Sequence, residues 1–464
     1  MGTLFYNSDF VLQMQPYAKI KKQIRLASLL AIVSFCFFAY ALHYESGIFR
    51  EFQAALLSVE WMLEFCIAIW CGSFIFLTFR LNDLPLIGLL LIAIAAYFIG
   101  YAAASRAPDV IILLAGVTLG RGVRVLLVAD SRWQMVDGGN RSEIGNFLVG
   151  LVVLLTFSSC WHLDVAHNSY PGTRWTGLWY NPNIYGMLMG AGAVLAIGLL
   201  AASPKPKVQS PKSAESAEGI VSSAAPDTAR GARALPIFLS IAAGMMGVGL
   251  VMSYSRGAWV GTAVGLLYLA NAHGKLKWRL VLPGILLVAA VVVLFWHSTS
   301  DTDQWYFKRL DLSRPSAQHR VSAWRGAVQM MWDHPLGVGW NKVMEIYEEY
   351  YSPPKNGAAA ITTNDYLMLG TQLGLPGLLC FVAYVGLRLG VGRWKLEVGE
   401  KAESGKRKAE IAEVDWLQTT CCAGAIVLLV GFWFDGGLFK LATASTFWVL
   451  LELGRQDLTM GRTK

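Results

Sequence analysis

Asn183 to Ser203 reads NIYGMLMGAGAVLAIGLLAAS, 21 residues without one charged side chain, preceded by Asn181-Pro182 and followed by Pro204-Lys205. A helix of that length extends about 30 Å, the thickness of a bilayer's hydrocarbon core. Similar apolar runs fall at roughly 26–44, 53–79, 84–104, 109–128, 146–166, 234–253, 257–272, 278–297, 366–390, 416–434 and 438–455. None alternates with a period of two, so strands are excluded, and in lipid a helix satisfies its own backbone. The expected fold class is an all-α polytopic membrane protein of about 12 transmembrane helices. A large helical extracytoplasmic loop is expected between spans 9 and 10.

Composition agrees with the runs. Of 464 residues, 55% are hydrophobic and 15% charged, against about 25% charged in an average soluble domain. Mean hydropathy is +0.46. Such a chain cannot cover its apolar surface with polar side chains, which excludes a soluble globule, a disordered chain and a disulfide-stapled module. The net charge of +8 is spread over short segments between the runs, where it sets orientation, so a nucleic-acid partner is not expected. All seven cysteines lie in apolar runs without CxxC spacing and read as small hydrophobes. No cleavable signal peptide is expected, because Met1 to Lys22 is polar and the first run is long enough to span.

The basic residues alternate between sides. One set of loops holds Lys19, Lys21, Lys22, Arg25, Arg80, Arg132, Arg141, Lys205, Lys207, Lys275, Lys277, Arg393 and Lys395, and the other little beyond Arg50, Arg106, Arg174, Arg256 and Lys440. The positive-inside rule then puts both termini in the cytoplasm. The organisation expected is a cytoplasmic 1–25, spans 1–9 within 26–298, a flexible linker at 204–233, an outer subdomain at 299–365, spans 10–12 within 366–455 and a tail at 456–464. Arg121 and Arg124 inside the fourth run should snorkel or pair within the bundle.

The linker has no aromatic residue, whereas the outer loop is rich in Trp and Tyr and can fold. Within it Val321, Trp324, Ala327, Val328 and Met331 recur at helical spacing, ended by the turn chemistry of His334-Pro335 and Gly337-Val338-Gly339. An ordered outer subdomain over a membrane bundle suits a lid above a site.

Three outer segments set arginine beside small residues at helix ends: Arg174 to Asn183, Ser253-Tyr254-Ser255-Arg256-Gly257-Ala258-Trp259, and Arg320 with Trp324 and the Asp333-His334-Pro335 turn. A guanidinium is a fixed fork of donors for phosphate, and a helix N-terminus adds backbone N–H groups and a positive dipole end. Asn183 is also placed to cap the sixth span. The three arginines are expected to converge on one outward-opening cavity. No histidine pair has HExxH or other zinc spacing.

In this order the chain resembles the O-antigen ligase/polymerase superfamily of bacterial envelope enzymes. The resemblance rests on Arg174…Gly177…Asn181-Pro182-Asn183, Ser255-Arg256-Gly257-Ala258-Trp259, Arg320…Trp324…Asp333-His334-Pro335-Leu336-Gly337-Val338-Gly339, Asn364-Asp365-Tyr366-Leu367 and Gly374-Leu375-Pro376-Gly377. It implies a metal-independent glycosyltransferase of the inner (cytoplasmic) membrane, without a cofactor or nucleotide sugar. The donor it implies is an undecaprenyl-diphosphate-linked glycan; the acceptor is a growing glycan, lipid A–core or another hydroxyl, with membrane lipid as the surrounding partner. Arg174 and Arg256 match the arginines that hold the diphosphate, and Arg320, Asn181, Asn183, Ser255, Asn364 and Tyr366 are the expected substrate-binding residues. Thr363 stands where the family often has a histidine, and threonine is no base at neutral pH. That departure weakens a lipid A–core ligase relative to a polymerase and makes Asp365 the candidate general base, an N-terminal cap being its structural alternative. The rival function is a multispan transporter or flippase of a lipid-linked or anionic substrate, against which stands the lack of an internal repeat.

Overall fold

The computed structural model describes residues 83–100, 108–128, 140–160, 174–179, 181–202, 226–272, 315–340, 342–351, 364–390 and 405–454. The expected spans at 26–44, 53–79 and 278–297, residues 203–225 of the linker, the first part of the outer loop, Thr363 and both termini lie outside these residues.

Every regular element among the described residues is helical. The helices are α1 (Leu84–Gly100), α2 (Pro108–Val128), α3 (Asn140–Cys160), α4 (Pro182–Ala202), α5 (Pro226–Met252), α6 (Arg256–Ala272), α7 (Pro315–Asp333), α8 (Val343–Ile346, continued as a π-turn over Tyr347–Tyr351), α9 (Asp365–Arg388), α10 (Gly405–Phe434) and α11 (Leu441–Leu453). Pro182–Ala202, Ala234–Met252, Asp365–Arg388 and Trp416–Phe434 are long and apolar enough to cross a membrane, and Leu84–Tyr97, Ile144–Ser159 and Leu441–Leu453 are shorter apolar stretches. The chain is a helical membrane protein.

Three helices begin well before their apolar runs, the first being α3, which starts at Asn140 against a run at 146. Helix α5 starts at Pro226, inside the stretch read as linker, and α10 at Gly405, before the run at 416. Pro226 takes the first helical position, where a missing N–H costs nothing, and Ala, Arg, Lys and Glu at 227–234 and 406–413 are mostly good helix formers. An apolar run marks only the part of a helix that lipid requires.

The chain forms two compact units. One contains the described parts of 1–140, 293–396 and 432–455, hence α1, α2, α7, α8, α9, the end of α10 and α11. Its core is aromatic: Phe381, Tyr384, Phe432, Phe447 and Trp448 are each almost wholly buried, with ring centroids 5.2–6.3 Å apart between neighbours. The other contains α4, α5, α6, most of α3, and α10 up to Gly431. There α4 is the central helix, buried almost continuously from Ile184 to Leu199, and its glycines Gly190, Gly192 and Gly198 face Thr262, Met246 and Thr420. Small residues at helix contacts are how membrane helices come close enough to gain packing.

At the C-terminal ends of α2, α9 and α11 the first unit buries a charge cluster. Arg121 reaches Asp83 at 2.9 Å and Glu452 at 3.4 Å, Arg124 lies 3.7 Å from the Glu452 carboxylate, and Arg388 pairs with Asp83. Tyr384 donates to Glu452, and the Arg388 guanidinium lies 4.5 Å from the Tyr384 ring centre. Arg121 and Arg124 are therefore paired inside the bundle, as one of the two expected readings had it.

Helix α9 is broken. Gly374 has φ 72° and ψ −179°, and Pro376 follows within the same helix. A proline N has no hydrogen to donate and its ring displaces the preceding turn. The turn after α7 takes over the freed backbone: Val338 N–H donates to Thr371 O (3.0 Å), Gly339 N–H to Gln372 O (3.1 Å), and Leu375 N–H to Pro335 O (2.9 Å). Gly337, at φ 84°, would bring an added Cβ within 2.6 Å of Gly374 N, so the two backbones meet where side chains cannot fit.

Gly337→Ala is expected to lower the melting temperature of the detergent-solubilised protein, since a non-glycine residue held in that region costs about 1–3 kcal/mol. Gly386→Ala, where an added Cβ meets nothing within 4 Å, should be neutral or mildly stabilising. Scanning fluorimetry compares the two; an unchanged Gly337→Ala would show that the turn tolerates a side chain.

Candidate active site

In the α4–α6 unit the site is built from helix N-termini. Asn181, not Asn183, caps α4: its side-chain oxygen accepts from Asn183 N–H (2.9 Å) and Ile184 N–H (3.3 Å), with Pro182 at the first helical position. That corrects the reading of Asn183 as the cap. Asn183, one residue further, instead accepts from Arg174 Nη2 at 2.7 Å. The Arg174 Nε donates to Ser253 O at 2.9 Å, and Trp175 N–H to Met252 O at 3.0 Å. Arg174 is 8% exposed, so its charge sits in a preorganised position between the start of α4 and the α5–α6 turn.

That turn is strained. Tyr254 has φ 50°, the single positive φ outside glycine among the described residues. Such a conformation persists only where neighbours enforce it. Here Ser253 Oγ accepts from Ser255 N–H (3.2 Å), Ser255 Oγ caps α6 through Ala258 N–H (3.3 Å), and Trp259 Nε1 donates to Leu250 O (2.9 Å). The result holds Arg256 at the first turn of α6 with its side chain exposed. Arg174, Asn181, Asn183, Ser255 and Arg256 thus belong to one local construction.

The other expected residues lie in the first unit and meet the segment between α10 and α11. Asn364 caps α9, its Oδ1 accepting from Tyr366 N–H and Leu367 N–H, both at 3.1 Å. Its Nδ2 is buried without a hydrogen-bond partner among the described residues. Asp365, 3% exposed, is not the cap: Oδ2 accepts from Gly437 N–H (2.6 Å) and Leu438 N–H (2.7 Å). Arg320 donates to Phe434 O (3.2 Å) and lies 3.5 Å from Asp435 Oδ1. Tyr366 packs on Trp433 with ring centres 5.7 Å apart.

Residues 433–440 were missed from sequence. The available signal was Asp435-Gly436-Gly437 with Lys440 in so short a connection between two spans. On α7 and α8 and the residues beside them, Gln329, Asp333, His334, Lys342, Glu345, Glu349 and Tyr351 line an open cleft of about 700 Å³. Tyr351 donates to Asp333 at 2.8 Å, and burial first, then that bond and charge, raise its phenol above the ordinary range. Among the described residues no group of three His, Cys, Asp or Glu is placed to hold a metal.

Asn181→Ala is expected to cost about 1 kcal/mol of stability, and Asn181→Ser, which retains a capping oxygen, almost none. Thermal unfolding of both variants checks it; equal losses would show that the amide does more than cap α4.

No curated protein matches the chain. Residues 241–382 match the protein-family model described as O-antigen ligase, under a third of the chain but including Ser255, Arg256, Arg320, Asn364, Asp365 and Tyr366. The match supports the chain's resemblance to the O-antigen ligase/polymerase superfamily and an O-antigen ligase/polymerase-type function in surface-polysaccharide biosynthesis.

Proposed function

We propose that the protein is an inner-membrane glycosyltransferase that moves a glycan from undecaprenyl diphosphate to an acceptor hydroxyl at the periplasmic face. The observation that carries this reading is Arg174, held in place at the start of α4 in the same unit as Arg256. Arg174 is held by Ser253 O and Asn183 Oδ1, and Arg256 opens α6 from a strained turn inside the matched segment. Cations set in place before the reaction stabilise charge on a departing diphosphate without reorganising. The loop charges support an arrangement with both termini in the cytoplasm and 299–365 outside.

In the reaction the acceptor oxygen forms a bond to the anomeric carbon as the bond from that carbon to the diphosphate oxygen breaks. Undecaprenyl diphosphate leaves with the electron pair, beside Arg174 and Arg256. The hydroxyl proton passes to a base. Asp365 takes that role through Oδ1, with Oδ2 committed to the Gly437–Leu438 turn. Arg320, Asn364 and Tyr366 bind the sugar substrates, and the Thr363 departure favours a glycan acceptor over lipid A–core.

Purified protein in proteoliposomes, supplied with a lipid-linked glycan and an acceptor glycan, tests the reading. Arg256→Ala should lower turnover by about 10²–10³, by analogy with removal of one transition-state donor. Arg256→Lys should recover only part, because the ammonium keeps the charge but loses the fork. Parental turnover in Arg256→Ala would overturn the assignment. Asp365→Asn keeps an acceptor oxygen for the Gly437–Leu438 turn but is a far poorer base, so it should fold and transfer slowly; transfer at the parental rate would leave Asp365 as a clamp alone.

A further inference from the structure

In the first unit Tyr366 and Arg320, read above as sugar-binding, meet Trp324, Trp433 and Asp435, which have no role in the chemistry above. Trp433, in the last turn of α10, is 43% exposed. The Trp324 ring meets it at 5.9 Å and 65°, and Tyr366 at 5.7 Å and 45°. Beside the rings, Arg320 and Asp435 form an ion pair at 3.5 Å, with the arginine side chain 36% exposed. Arg320 and Trp324 are four residues apart on α7 and share a face. Trp433 and Asp435 are two apart where α10 ends. Each helix therefore brings one aromatic ring and one charge to the same place.

An exposed tryptophan at a helix end is also what an interfacial aromatic belt provides. A belt accounts for exposure to the interface but calls for no partner from an outer helix, and none for an ion pair at the ring's edge. Trp324 adds a second observation: its Nε1 is buried without a hydrogen-bond partner among the described residues. A buried indole N–H usually finds an acceptor.

We propose that Trp433, Trp324 and Tyr366 form a stacking platform for one pyranose ring of the glycan substrate, with Arg320 and Asp435 reading its hydroxyls. The proposal rests on the glycan-transfer reading for the identity of its ligand. The C–H face of a pyranose is apolar and weakly electropositive, which suits the negative face of an aromatic ring. Its equatorial hydroxyls project around the rim as paired donors and acceptors. A guanidinium supplies only donors and a carboxylate only acceptors, so the two together satisfy neighbouring hydroxyls. At 3.5 Å the Arg320–Asp435 contact is long for a hydrogen bond, and opening it toward a sugar sacrifices little.

The test uses full-length protein in nanodiscs and three probes prepared from the native host: undecaprenyl diphosphate, undecaprenyl diphosphate carrying its glycan, and the soluble glycan released by mild acid. Trp433→Ala should bind the two glycan-bearing probes roughly tenfold more weakly, a stacking contact's worth, while bare undecaprenyl diphosphate binds as it does to wild type. Trp433→Phe, which keeps a smaller ring, should fall between. Asp435→Asn, which keeps the side-chain shape and one acceptor, should weaken only the glycan-bearing probes. Equal binding of the soluble glycan by wild type and Trp433→Ala overturns the platform. So does an equal loss of all three probes, which would mark a folding or belt defect, and so does failure of wild type to bind the soluble glycan. If wild type binds the soluble glycan through Trp433 but neither lipid, the platform stands and the lipid-diphosphate donor is what fails.

Discussion

The carbonyls of Thr371 and Gln372 lie where α9 breaks, in a helix apolar enough to cross a membrane, and lipid offers them no donor. An unsatisfied backbone carbonyl in an apolar medium costs several kcal/mol. The N–H groups of Val338 and Gly339 supply the missing donors, and Pro335 O receives Leu375 N–H in return. This exchange ties the end of α7 to the middle of α9. Trp340, directly after it, donates to Ala93 O in α1 at 2.8 Å, and Gln372 Nε2 donates to Asp109 in α2 at 3.1 Å. Through one broken helix, four elements of the unit are fixed against each other. The His334–Gly339 turn and the Gly374–Gly377 motif, which nothing in the sequence links to each other, are two halves of one contact.

Most of the described helices could be read from hydrophobic runs because lipid imposes a length and an apolar character on a spanning helix. The early starts of α5 and α10 were not legible in that way, since residues beyond the apolar part are selected by propensity rather than by lipid. Pairing was legible only by half. Arg121 and Arg124 could be expected to have partners, but Asp83 and Glu452 are separated from them by tens to hundreds of residues and carry no pattern that names them. Buried acids of this kind are fixed by three-dimensional neighbours.

The site shows the same division. Short-range chemistry was readable: Arg174, Asn181, Asn183, Ser255 and Arg256 are near helix starts in sequence and form one construction in the structure. Which asparagine caps was not, because Asn181 and Asn183 both flank Pro182 and only the hydrogen bonds separate them. The long-range partner of Asp365 was also hidden. A carboxylate at the first position of a helix reads as a cap or a base, whereas its nearest donors come from Gly437 and Leu438, more than 70 residues away.

The segment from Trp433 to Lys440 makes the expected residues of the first unit interdependent. Asp365 holds the Gly437–Leu438 backbone, Thr443 donates to Gly437 O from the start of α11, and Arg320 reaches Phe434 O and Asp435 at the other end. Loss of the Asp365 carboxylate would therefore release a turn whose far end bears Asp435 and Trp433. Arg320 would lose a defined partner although its own side chain is untouched. A defect in Asp365→Ala thus mixes proton transfer with displacement of the aromatic cluster, whereas asparagine retains an oxygen where the two N–H groups point. In this unit the charge that fits a base and the contact that fits a clamp belong to the same carboxylate, so its two oxygens, and not the residue as a whole, are the units to which roles attach.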